Sequence, residues 1–191
     1  NGAGKTTLMK ILFGIENQEE GQIFIKGKEV AIKDPLHAIA LGVGMVHQHF
    51  MLVPSLTIAE NIILGMEPQK GIRFDMKKAI EMTREVSEKY RLHVDPLDRV
   101  EDISVGQKQK VEILKALIRG AEVLILDEPT AVLTPQETEE LFVELKRLRD
   151  DGYTILFISH KLNEVKEICN RVTVLRNGKM IGVENIEDIS E

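Results

Sequence analysis

The sequence has no tryptophan, an aromatic fraction of only 4%, and a single cysteine, Cys169. One cysteine cannot close an internal disulfide, and no cysteine cluster offers a thiolate zinc site. A reducing compartment is the natural setting, and Cys169 reads as a small buried apolar residue. No apolar run approaches the ~20 residues needed to cross a bilayer. A surplus of positive charge is also missing: the formal net charge is -6 and the sequence pI is near 5.5. That balance argues against a general nucleic-acid binder, which would present a basic face.

The 191 residues suffice for one sizeable domain, or for a core carrying a small inserted subdomain. They open with "NGAGKTTLMK". Asn1-Gly2-Ala3-Gly4-Lys5-Thr6-Thr7 carries the second half of the phosphate-loop pattern G-x-x-x-x-G-K-[ST], whose first glycine would fall two residues before Asn1, so the chain is expected to be a fragment. Small residues here let successive backbone N–H groups curl round phosphate oxygens, and a helix starting near Lys5 aims its positive dipole end at them. In this reading Lys5 reaches the β and γ phosphates and Thr6 ligates magnesium.

Downstream, "TTLMKILFG" reads as a helix closed by Gly14, "GQIFIKGKEVAI" as an antiparallel hairpin turning at Gly27, and "GVGMV" as a short apolar strand. Thr57 to Glu60 is a capping-box pattern opening the helix "IAENIILG". From Asp75 to Arg91, Met76, Ala79, Ile80, Thr83 and Val86 form one face of an amphipathic helix. From Gln107 a helix carries Val111, Leu114, Leu117 and Ile118 on one side and leads into "EVLILD", a continuous apolar run of the kind that fills a buried parallel strand. "TPQE" repeats the capping signature with Pro135 at the first helical position, and "YTILFIS" is a further buried strand. Strand, helix and strand in that order predict a parallel sheet with crossovers.

In "VLILDEPT" a buried strand ends in two carboxylates, and ligands of open parallel sheets sit at the carboxyl ends of strands. Asp127 is positioned to hold magnesium opposite Thr6, leaving Glu128 to orient or deprotonate an attacking water. His47 and His49 flank a glutamine at strand spacing without a third ligand nearby, so they read as polar loop residues rather than a metal site.

Over nearly its whole length the chain resembles the ATP-binding subunits of ABC transporters. Five motifs stand in that family's order: the phosphate-loop remnant, "VHQH" similar to the Q-loop, "ISVGQKQ" similar to the signature sequence, "LDEPTAVLT" similar to Walker B plus D-loop, and "ISH". The resemblance implies that Gln48 touches magnesium and the attacking water, and that His160 is the switch histidine contacting the γ-phosphate. It implies that Ser104, Gly106 and Gln107 form a second anion-binding helix start that caps ATP held by another nucleotide-binding domain, with Ser104 and Gly106 preceding the helix. Two departures from the commonest family pattern are Val105, in place of a signature glycine, and Thr134, in place of the D-loop aspartate.

The stretch "HQHFMLVPSLTIAENIILG" resembles the nucleoside and basic-membrane-protein importers, with simple-sugar importers next; in that branch two such domains are usually fused. The expected fold is thus an α/β ABC-type P-loop domain over residues 1–191, incomplete at its N-terminus. It has a mainly parallel core sheet, an antiparallel β subdomain and a helical subdomain around 50–104. The implied activity is hydrolysis of ATP with Mg2+ at the cytoplasmic face of the membrane. Implied partners are transmembrane permease subunits, a second nucleotide-binding domain (a fused half or a homodimer) and, indirectly, an extracellular solute-binding protein, with no nucleic acid. The alternatives are a soluble relative acting on the ribosome or DNA, and an exporter domain. Repair members insert long coiled coils between loop and signature, and no sustained heptads occupy Gly14 to Ile103.

Overall fold

The computed structural model describes residues 3–70 and 73–188. Helix α1 (Lys5–Leu12) is followed by strands β1 (Ile23–Ile25) and β2 (Lys28–Val30), helix α2 (Pro35–Ala40) and strand β3 (Val43–Val46). Then come α3 (Ile58–Ile63), the short hairpin β4 (Gln69–Lys70) and β5 (Arg73–Phe74), and α4 (Met76–Tyr90). The remainder is α5 (Val105–Ile118), β6 (Val123–Asp127), α6 (Pro135–Asp150), β7 (Thr154–Ile158), α7 (Leu162–Ile168), β8 (Arg171–Arg176) and β9 (Lys179–Asn185).

The centre is a parallel sheet in the order β3-β6-β7, with α6 as the crossover between β6 and β7. The antiparallel pairs β1–β2 and β8–β9 turn at Lys26-Gly27 and Asn177-Gly178. In both turns the two residues have positive φ (53° and 74°; 50° and 72°), the geometry whose twist matches that of paired strands.

Local chemistry accounts for the helix boundaries. Asp34 accepts from the His37 N–H and Pro35 occupies the first position of α2, a start readable in "DPLH". Capping boxes open α3 (Thr57 with Glu60), α5 (Ser104 with Gln107) and α6 (Thr134 with Glu137). Gly14, at φ +76°, turns the chain out of α1, and a Cβ there would lie 2.5 Å from the Asp34 carbonyl carbon.

The unbroken apolar run of β6 is explained by burial on both faces. Leu124 and Leu126 join the main core with residues of α3, α4, α5 and α6, while Ile125 faces a second cluster with Phe13, Ala38, Val43 and Met45. The main core extends without interruption from Ile58 and Val86 to Leu145 and Ile168, so the helical segment packs into the body of the molecule instead of carrying a core of its own. The Tyr90 and Tyr153 hydroxyls, 3.0 Å apart, form a further link, and burial pushes the Tyr153 phenol up to about 12.

The α5 stripe differs from the one-sided expectation. Ile113 and Ala116 are buried together with Val111, Leu114 and Leu117, because α5 is wedged between α3, α4, α6 and β3. Its close approach to β3 requires a glycine: a Cβ on Gly44 would sit 2.8 Å from the Cβ atoms of both Ala116 and Ala121. Gly44→Ala is expected to destabilise the fold by about 1–3 kcal/mol through overpacking. Chemical denaturation checks this, and an unchanged midpoint would show that α5 can move away without cost.

Candidate functional site

The three parallel strands are in register, with Val46 beside Leu126 and Asp127 beside Ile158, so their carboxyl ends emerge at one edge of the sheet. The residues that follow those ends are Gln48 after β3, Asp127 and Glu128 closing β6, and His160 after β7. Topology thus gathers four of the sequence-predicted positions.

The first turn of α1 reaches the same edge. The Thr6 side chain faces the Asp127 carboxyl, and both it and the Lys5 charge favour the ionised form of that carboxyl. Gly4 caps α1 in a left-handed conformation (φ 92°) without any side-chain cap, and Leu8 is the first residue of the helix whose amide returns to Gly4. The amides of Lys5, Thr6 and Thr7 belong to that uncapped turn, which also lacks any acidic side chain. A helix start of this kind attracts an anion. Ala3 accepts from the Gly178 N–H at 3.2 Å, which packs the loop against the β8–β9 turn. Asn1 and Gly2 lie outside the described residues.

Asp127 is 5% exposed, and burial pushes its carboxyl above the usual range, against the opposing influence of the Thr6 side chain. Glu128 has φ +48°, a left-handed backbone that is strained for a non-glycine residue, and its N–H is held by the Ile158 carbonyl at 3.0 Å. Its carboxylate Oε1 lies 3.3 Å from Nδ1 of His160, and the histidine side chain is 59% exposed. Gln48 is exposed in a bend beyond β3. His47 is half-buried, edge-on to Phe13 with ring centroids 6.1 Å apart, and burial lowers its pKa.

The signature residues form a separate group. Ser104 is the cap of α5, and Gly106 already lies within its first turn, so Ser104 alone precedes the helix. Among the described residues, the hydrogen bonds of Ser104, Gly106 and Gln107 that involve side chains run among themselves and to Glu137: the Gln107 N–H donates to Ser104 Oγ, the Ser104 N–H to Gln107 Oε1, and the Gly106 N–H to Glu137 Oε1 at 2.9 Å. Within one chain these residues share no hydrogen bond with Lys5, Thr6, Asp127, Glu128 or His160. The capping role of Glu137 was legible in "TPQE"; its reach to Gly106 was not.

A buried carboxylate escaped the sequence reading altogether. Glu164, on α7, accepts from Thr130, Ser159 and Lys161, two of which adjoin the predicted catalytic positions.

Fold and site together define a P-loop type nucleotide-binding domain of the α/β class. Comparison with known proteins narrows the class: the chain belongs to the ABC transporter family, whose sequence profile matches residues 1–131. It is 53% identical to the nucleoside import ATP-binding protein NupA of Lactococcus lactis over 98% of this chain and 37% of that protein. It is 52% identical to the guanosine import ATP-binding protein NupO of Bacillus subtilis over 100% of this chain and 38% of that protein. The galactose/methyl galactoside import ATP-binding protein MglA of Clostridium perfringens is 42% identical over 100% of this chain and 37% of that protein. The chain therefore spans little more than a third of these relatives. Among solved structures, the ADP conformation of MJ1267, an ATP-binding cassette of an ABC transporter, matches with a TM-score of 0.83 at 25% identity, over 98% of this chain and 80% of that one. A nucleotide-free cassette matches with a TM-score of 0.84 at 24% identity, over 97% and 77%.

Proposed function

We propose that this domain binds ATP with magnesium and hydrolyses it to ADP and phosphate, energising import of a nucleoside or simple sugar. The observation that carries the reading is the approach of the phosphate-loop helix to the acidic end of β6, where the Thr6 side chain faces the Asp127 carboxyl. Gly2 to Thr7 cradle the phosphates in this reading, with Asn1 leading the loop and Lys5 supplying the positive charge. Two hard oxygen donors, one a buried carboxylate of raised pKa, fit a magnesium ion, with Gln48 as a third ligand. Magnesium, when bound, neutralises charge developing on the phosphates. Glu128 takes the proton of the attacking water, and His160, in contact with Glu128, orients the γ-phosphate side of the site.

Ser104, Gly106 and Gln107 share no hydrogen bond with that group, which supports the reading that they serve ATP bound by a second nucleotide-binding domain, a fused half or another copy. Transmembrane permease subunits, and through them a solute-binding protein, complete the assembly at the cytoplasmic face of the membrane. Residues of about 50–104 form the helical subdomain. The import names of the relatives support this assignment over ribosome, DNA or exporter roles. Vesicles reconstituted with the full-length chain and its permeases are expected to accumulate labelled nucleoside or sugar only with ATP on the domain's side. ATP-independent uptake would overturn the reading.

The loop after Gln48 is the proposed contact with the permease. Leu52 turns inward and packs on the main core, whereas Met51 and Val53 are 64% and 37% exposed. The Met51 backbone is anchored at both ends, its N–H to Glu112 and its carbonyl to Lys115 Nζ at 2.8 Å, so the exposed side chain is presented from a fixed point. Met51→Glu is expected to impair uptake more than basal ATPase, as measured side by side in such vesicles. Uptake at the native level would remove this loop from the coupling surface.

A further inference from the structure

The loops that carry Glu128 and His160 are joined beneath the site by Glu164, a side chain that none of the motifs include. Thr130 is 3% exposed and lies in the turn that Glu128 opens, which is closed by the Ala131 N–H donating to the Glu128 carbonyl at 3.1 Å. Ser159 immediately precedes His160. Glu164, 8% exposed, accepts from Thr130 Oγ1 at 2.9 and 2.8 Å through its two oxygens and from Ser159 Oγ at 2.8 Å. Lys161 Nζ, 2.8 Å away, supplies the counter-charge, and Ser159 Oγ accepts from the Lys161 N–H at 3.0 Å.

We infer that Glu164 is a positioning residue for the proposed hydrolysis: its carboxylate clamps the turn after Glu128 to the residue before His160, and so sets the 3.3 Å contact between those two side chains. Buried charge is costly unless it is paired and hydrogen-bonded, and a fold needing only apolar packing at this position of α7 would be served by leucine. Here the burial that would raise the Glu164 pKa is outweighed by hydrogen bonds from Lys161, Thr130 and Ser159, so the carboxylate stays ionised and keeps accepting from both hydroxyls. The strained backbone of Glu128 needs a surrounding that over-determines it, and the clamp meets that need from below while the Ile158 carbonyl holds the Glu128 N–H. The ATP-binding groups sit on α1, outside the clamp, so its loss bears on the chemical step more than on binding.

This inference rests on the assignment of Glu128 and His160 to hydrolysis. In the full-length chain, Glu164→Leu removes the acceptors at similar volume. It is expected to lower kcat for magnesium-ATP by about 10²-fold, as misplacement of a reacting group by about 1 Å does, with KM and equilibrium ATP affinity nearly unchanged. Glu164→Gln, which still accepts from the hydroxyls, is expected to recover most of the rate. Introducing Glu164→Leu into a Glu128→Gln background should add little further loss, because the two act as one unit. Thr130→Val and Ser159→Ala keep the Glu164 and Lys161 pair, and each should lower kcat partially. They decide the matter if Glu164→Leu does not fold. A native kcat in Glu164→Leu, or in both hydroxyl variants, overturns the clamp. An equal loss of affinity and rate would show general damage and also overturns it. A native rate in Glu128→Gln alone counts instead against the underlying assignment.

Discussion

Glu128→Gln is expected to leave ATP bound and unhydrolysed. Hydrolysis needs a group that takes the proton of the attacking water, and Glu128 is the carboxylate just beyond β6 that lies 3.3 Å from His160. Removing general-base help costs ~10²–10⁴ in rate. Glutamine keeps the shape of the side chain, so the left-handed backbone at position 128 and its bond to the Ile158 carbonyl are retained. Affinity changes little, because phosphate and magnesium are held by the α1 turn, Thr6 and Asp127 in this reading, and one negative charge fewer beside the γ-phosphate favours retention. In an assembly with both ATP sites the variant should accumulate as a closed dimer of nucleotide-binding domains, detectable by crosslinking at the Ser104 surface. Equilibrium ATP binding beside single-turnover hydrolysis provides the test. Hydrolysis at the native rate would remove Glu128 from the chemistry and pass the water-positioning role to Gln48 or His160.

Lys5→Ala is expected to fail one step earlier. Lys5 opens α1 beside amides that no side chain caps, and it supplies positive charge at the loop where the phosphates are proposed to lie. A hydrogen bond to a charged group is worth about 1.5–3 kcal/mol, so its loss should weaken ATP binding by roughly 10- to 100-fold. The fold should not suffer: α1 has no fully buried residue, and changes at such positions usually stay within about 0.5 kcal/mol. Calorimetric titration with ATP and a melting curve on the same preparation separate the two effects. Native affinity would refute the phosphate assignment, and a collapse in melting temperature would make Lys5 structural. The two variants thus predict opposite phenotypes, one trapped with nucleotide and the other unable to take it up.

The elements read most directly from sequence are those with local causes. The run "VLILD" is buried on both faces as its lack of alternation implies, the Thr57 and Thr134 boxes begin helices where their spacing places them, and Met76 to Tyr90 turns Ala79, Thr83 and Val86 inward. Other local signals were present and unused: "DPLH" announces α2, and Asn177-Gly178 between apolar alternations announces the β8–β9 hairpin. The site was legible in the same way, since a glycine-rich helix start, an acidic strand end and a strand-end histidine each carry their chemistry within a few residues.

By itself, the sequence determined the types of element, the polarity of their faces and the kinds of reactive group at their ends, because periodicity and capping depend on neighbours within one or two turns. Tertiary structure alone decided which groups meet. The carboxylate of Glu137 finds Gly106 across 31 positions, and Glu164 finds Thr130 across 34. Between Met51, Leu52 and Val53, all apolar, it chose Leu52 for the core. It buried Ile113 and Ala116 of α5 besides Val111, Leu114 and Leu117, although the sequence displays only one stripe. Each of these outcomes depends on the angle and distance at which whole elements pack, and that geometry is set by the summed burial of many side chains rather than by any local run of residues.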